Sequence, residues 1–192
     1  KKRVRYILFE SLHCFGKNTI LMDSALIVCF KTLLDSFREH LLSGESLVIA
    51  DEIKPLFTPS FSQIYITLFQ TEHKPIRWGA RKGNIEKTLL RIAIKLKENS
   101  RYADFSVEDS GKCRIMVEVV TKEYPCQIRS LTTMLVSENR FEPGISGLRY
   151  CYQGVTRFFM PTDAVTQSIM SVNQLLNYLS KTTDIAKKTN KI

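Results

Sequence analysis

Between residues 62 and 120 the apolar pattern changes from strand-like alternation to helical spacing and back. That double change restricts the chain to folds in which a helix lies on a sheet. Ile64, Ile66 and Leu68 alternate with Tyr65, Thr67 and Phe69, a β-branched and aromatic run suited to a pleated surface. A stretch with Pro75, Gly79 and Gly83 follows. Leu89, Leu90, Ile92, Ala93 and Leu96 then recur at helical spacing, with Lys87, Arg91, Lys95 and Lys97 between them. Ile115, Val117 and Val119 alternate again. The stretch is predicted as strand, basic glycine turn, helix, short loop and strand.

The flanks extend the pattern. Residues 3–12 alternate like a strand, and the six residues from His13 read as a loop. Residues 22–42 form the clearest helix. Asp23 or Ser24 caps it, Leu26, Ile27, Phe30, Leu33, Leu34, Phe37 and Leu41 form its stripe, and Gly44 stops it. Pro55 and Pro59 make 45–61 an irregular linker. Residues 127–136 fit a strand or a short helix equally well. A turn around Pro143, Gly144 and Gly147 precedes two short runs about Gly154, a hairpin signal. One helix is predicted over 162–181, capped by Thr162 or Asp163 and burying Val165, Ile169, Val172, Leu175, Leu176 and Leu179. Strands joined by hairpins and irregular links imply an α+β fold, a mainly antiparallel sheet flanked by helices, with room for a small second lobe. The domain expectation is one unit over 1–186 and a basic tail over 187–192.

No apolar run approaches the roughly 18–20 residues that cross a bilayer. The five cysteines, Cys14, Cys29, Cys113, Cys126 and Cys151, form no C-x-x-C pair, and there are three histidines. That gives no support for a zinc site or any other metal, and no cofactor is implied. Scattered single cysteines read as reduced thiols and a cytoplasmic protein. The first residue is Lys rather than Met, which reads as a trimmed chain or a piece of a longer protein and leaves a lost targeting segment open. A net charge of +9 favours negatively charged partners, namely nucleic acid, an anionic membrane surface or an acidic protein. The plainer reading is a solvated basic surface.

The most distinctive polar stretch is 73–83, with Lys74, Arg77, Arg81 and Lys82 around Trp78. Arginine offers a planar fork to phosphate or carboxylate, Trp stacks on a base, and the two glycines permit close backbone approach. Arg101, with Tyr102 and Asp104, is read as a second cluster lining the same cleft. The alternative is a solvated basic turn with Trp78 folded onto the sheet, and a helix cap at Arg101 with Tyr102 and Phe105 packing inward. This is not a P-loop, since Gly-Lys-Ser/Thr is missing after Gly83. Catalytic candidates are weak. Cys14 adjoins His13, but neighbours on an extended segment point to opposite faces. Cys113 and Cys151 lie in strand-like runs, and Glu108, Asp109 and Glu118 form no distinctive acid–base arrangement. Residues 148–159 interleave Arg149 and Arg157 with Tyr150, Tyr152, Phe158 and Phe159. That pattern suits a stacking platform for single-stranded nucleic acid or a hairpin with one aromatic face in the core.

In order and local residues, 62–165 resembles the AMMECR domain family. The strand IYITLF leads into IRWGARKG, where the family carries LRGCIG. A helix follows, then SRYADFSVED where the family has a DPRFPPL-like segment. CRIMVEVV then stands for the family's I-E-V-S-V-L strand, and GLRYCYQGVTRFFMPTDAV for its glycine hairpin and L-L-P-x-x-A-V ending. At the signature turn only Ile76 and Arg77 match; Trp78 replaces a glycine and Gly79 stands at the family's cysteine. The resemblance implies a two-lobed α+β fold around an antiparallel sheet and brings little chemistry, the roles suggested for the family being RNA-related and enzymatic. The expected function is a ligand- or partner-binding domain within a larger protein or complex. The rivals are a basic single-stranded nucleic-acid-binding module and a small enzyme acting on an anionic substrate.

Overall fold

The computed structural model describes residues 11–15, 24–54, 63–81, 84–120, 123–125, 146–152, 154–171 and 173–179, with Gly144 and Lys181 in addition. The chain is α+β, with antiparallel strand pairing throughout the described sheets. It divides into two compact units, 18–122 and 1–17 with 123–192. Expectations for residues 3–10, 127–136, Pro55, Pro59, Lys82, Gly83 and the tail 187–192 fall outside the described residues.

In the unit 18–122, helix α1 (Ser24–Ser43) and helix α2 (Ile85–Lys97) bury their apolar faces in one core with the sheet β3–β2–β4. Strand β2 is Gln63–Gln70, β3 is Ile76–Arg81 and β4 is Cys113–Val120. From α1 the core receives Leu33, Phe37 and Leu41, with Phe30 and Leu34 partly buried. Ile27, placed in that stripe by spacing, is instead 54% exposed. Gly44 ends the helix at φ +79, its N–H meeting the His40 carbonyl at 3.1 Å. This is the left-handed ending glycine adopts without Cβ cost. Helix α2 begins at Asn84, whose side chain accepts from the Lys87 N–H at 3.1 Å. It buries Thr88, Leu89, Ile92, Ala93 and Leu96. The start of the predicted linker is irregular but not loose: Leu47, Ile49 and Ala50 pack on the core and Ile53 is fully buried.

The basic glycine turn is the clearest departure from expectation. Residues 76–81 are a strand paired with β2 from Leu68↔Ile76 to Gln63↔Arg81, and the turn is confined to 71–75. A glycine in a strand interior ordinarily weakens it. Here Gly79 stands opposite Tyr65, whose ring occupies the space a side chain would need. Cross-strand packing of that kind compensates for the missing Cβ.

In the other unit the sheet order is β5–β1–β6–β7. Strand β1 is Ser11–Phe15, β5 is Glu123–Pro125, β6 is Leu148–Tyr152 and β7 is Val155–Phe159. His13, Cys14 and Phe15, predicted as loop, belong to β1 because this strand is paired on both sides. Strands β6 and β7 form the expected hairpin, with Tyr152 opposite Val155 and Gly154 at φ +72. The single helix predicted over 162–181 is broken in two. Helix α3 spans Pro161–Thr166, and a second helical run covers 173–179. The Met160 N–H donates to the Asp163 carboxylate at 2.7 Å, so Asp163 serves α3 from inside its first turn. Ser168 at φ +53 ends α3, with Ile169 N–H on the Ala164 carbonyl (2.8 Å) and Ser168 N–H on that of Val165 (3.3 Å). Those two bonds are the Schellman pattern. The next run starts on a new cap: Gln174 N–H donates to Ser171 Oγ at 3.3 Å, and Gln174 Oε1 accepts from Met170 N–H at 2.7 Å. Val165, expected on the buried face, is 68% exposed, whereas Ile169, Leu175 and Leu179 are buried.

Candidate nucleic-acid or anion interface

Strand β3 decides where the candidate residues go. Its alternation sets Ile76, Trp78 and Ala80 on the face that holds Ile64, Ile66 and Leu68, and sets Arg77, Gly79 and Arg81 on the other. Arg77 and Trp78 therefore project to opposite sides of one sheet, although they are neighbours in sequence.

Arg77 is engaged inside the protein. Its Nε donates to Thr67 Oγ1 at 2.8 Å, directly across the β2–β3 pair. The same nitrogen lies 3.7 Å from Glu118 Oε2 on β4, and the two side chains are only 18% and 9% exposed. The guanidinium thus spans all three strands of the sheet. Thr67 is fully buried, and burial of this polar trio is tolerable because its members satisfy one another. Sequence reading missed Thr67 and Glu118 as partners. The available signal was Glu118 itself, a carboxylate inside the apolar run CRIMVEVV.

Arg101 meets Lys74, but through the backbone. Its guanidinium donates to the Lys74 carbonyl at 2.7 Å and to the Pro75 carbonyl at 3.4 Å. Ser106 N–H donates to Gln70 Oε1 at 2.9 Å, and the His73 and Phe105 rings stand 5.8 Å apart. The segment after α2 therefore anchors the β2–β3 turn. Phe105 is buried and Tyr102 half-buried, as the inward-packing alternative expected, while Asp104 is exposed.

Trp78, Arg81 and the side chain of Lys74 remain open to solvent. Trp78 is 43% exposed in the middle of β3, and among the described residues β3 is the outer strand in the order β3–β2–β4. Arg81 ends the strand, about 10 Å further along at strand rise. Lys74 is exposed in the turn before it. On the opposite side of α2 from the core, Lys87, Arg91 and Lys95 are exposed as well.

Other candidate chemistry is less accessible. Cys113 is fully buried, and burial pushes its thiol above the ordinary value, against Arg38 and helped by Glu108. A nucleophilic cysteine needs the reverse shift. Among the described residues no group of His, Cys, Asp and Glu is placed to hold a metal ion. In the hairpin β6–β7, Tyr150 and Phe159 are buried, and Arg149 and Phe158 face each other half-buried. Much of that aromatic pattern is core. Among the described residues no helix is long and apolar enough to cross a membrane.

No protein-family model, curated protein or solved structure matches the chain.

Proposed function

We propose that the chain is a ligand- or partner-binding α+β domain of the AMMECR type, part of a larger protein or complex, which takes an anionic partner along β3, the outer strand among the described residues. One observation carries this reading: the chain's single tryptophan is 43% exposed on an edge strand, between the exposed cations Lys74 and Arg81. An exposed indole supplies apolar contact area at low entropic cost, and flanking cations draw a negatively charged partner through a salt-sensitive field. Arg77, bound to Thr67 and Glu118, positions the strand rather than the partner. The net charge of +9 agrees with an acidic or polyanionic partner. The unbridged thiols Cys29, Cys113 and Cys151 agree with a cytoplasmic, reducing compartment.

Because Trp78 is the only tryptophan, its emission reports on the site directly. Titration with sulfate, a nucleotide, short single-stranded RNA and an acidic peptide, at low and high salt, tests the proposal. A saturable emission change that weakens in salt and is reduced in Arg81→Glu is expected. Absence of any response at low salt would make the strand edge a solvated basic surface. A response to RNA alone, with a steep salt slope, would select the nucleic-acid-binding alternative.

A further inference from the structure

We infer that β3 is a docking edge for an extended acidic peptide segment, which adds a fourth strand to the sheet β3–β2–β4. The inference rests on the proposed anion-directed binding and names its partner and its geometry. Strand β2 has both of its edges occupied, by β3 and β4, whereas among the described residues no strand lies outside β3. An edge of this kind offers the backbone N–H and C=O groups of every second residue to an incoming strand.

The side chains set the register. Val117, Ile66 and Trp78 stand opposite one another across β4, β2 and β3, one row on one face of the sheet. The row ends in the half-exposed indole, so an apolar residue of the added strand opposite Trp78 would continue it and cover the ring. The row through Val120 and Gln63 ends in the exposed Arg81 on the other face. A carboxylate opposite Arg81 would pair with its guanidinium. The two positions differ by three along β3, an odd number, so they fall on opposite faces as a strand requires. The structure thus favours an extended segment with an apolar side chain on one face and an acidic one three positions away on the other. Lys74 at the turn end favours a second acid beyond the apolar residue. A nucleic acid would use the indole and the cations but not the backbone edge.

The test uses a synthetic peptide of about seven residues, long enough to match β3, with glutamates at both ends and valine and threonine alternating between them. Trp78 emission is followed for five probes: this peptide, two versions of it methylated on alternate backbone nitrogens in one register or the other, its lysine-ended counterpart, and single-stranded RNA. The acidic peptide should saturate the signal. Methylation in the register facing β3 should abolish binding, and methylation in the other register should leave it intact. Arg81→Glu should weaken the acidic peptide about tenfold and gain the lysine-ended one, a reversal that loss of folding cannot produce. Equal binding of both methylated peptides would overturn strand addition while leaving the anionic partner in place. Binding of RNA without the peptide would overturn the inference and keep only the charge-based reading. Silence from every probe would overturn both.

Discussion

The ring of Tyr65 lies where a side chain on residue 79 would have to stand. A β-carbon built on Gly79 falls 2.3 Å from Tyr65 Cδ1 and 2.4 Å from Cε1, far inside van der Waals contact. The residues face each other directly across β2 and β3, and Tyr65 is 4% exposed, so the ring has little room to yield.

Gly79→Ala should therefore destabilise the protein by about 1–3 kcal/mol. The same change made on Tyr65→Ala should be neutral or slightly stabilising, because alanine suits a strand better than glycine once the ring is gone. Chemical denaturation of the double-mutant cycle gives the coupling. Additive costs would mean that the ring is not the obstacle.

The ion pair of Arg77 and Glu118 predicts a stability effect where the sequence predicted a binding one. With side chains 18% and 9% exposed, removing either partner leaves the other poorly solvated. Arg77→Met or Glu118→Gln should each cost about 2–4 kcal/mol. The double variant should cost clearly less than the sum of the two, as read from urea unfolding. Arg77→Lys keeps the charge but loses the Nε donor that meets Thr67 and lies beside Glu118, and should rescue only part of the loss.

Alkaline conditions should expose the burial of Cys113. Burial raises its thiol above the ordinary value of 9.0, and raises Tyr102 above 10.0. The folded chain then holds a proton that the unfolded chain releases at lower pH. The stabilising contribution is full below the unfolded-state value and is lost as pH rises through the folded one. Unfolding midpoints measured from pH 7 to 11, a window spanning both ordinary values with margin, should fall above about pH 9. Cys113→Ala should flatten part of that decline. Parallel curves for the two proteins would show that the thiol titrates alike in both states.

Ser168 ends helix α3 with φ +53, and Glu72 occupies the β2–β3 turn with φ +74. Both sit in the left-handed region, which costs a side-chain-bearing residue about 1–2 kcal/mol. Ser168→Gly and Glu72→Gly should each raise stability by about 0.5–1 kcal/mol after the extra chain entropy of glycine is counted. Thermal and urea unfolding measure this. Destabilisation by either change would show that the replaced side chain makes a contact worth more than the backbone strain.

What the sequence disclosed followed the strength of local periodicity. The α+β class and helix α2 were readable because Leu89, Ile92, Ala93 and Leu96 repeat on one face. Residues 76–81 were misread as a turn because Gly79 signals a break locally, while the residue that compensates for it, Tyr65, lies on another strand. Glu118 stands out locally as a carboxylate in an apolar run, but nothing local pairs it with Arg77, which therefore reads as available to a ligand. In 162–181 the local signal existed but lost to a stronger one. Ser171 and Gln174 spell a capping box inside the apolar stripe, and the helical spacing of Ile169, Leu175 and Leu179 masked it. Ile53 fits no regular period at all, and only tertiary packing explains its complete burial.

The guanidinium of Arg101 fastens the carbonyls of Lys74 and Pro75 to a segment that follows α2 by only a few residues. Opening the hairpin tip must release those bonds, together with the Ser106 to Gln70 bond beside them. The tip and the exit of α2 are therefore expected to open as one cooperative unit rather than as two independently fraying loops. In amide exchange, Ser106, whose N–H is held by Gln70, should share its protection with His73, whose N–H closes the turn onto the Gln70 carbonyl, despite the 33 positions that part them in sequence.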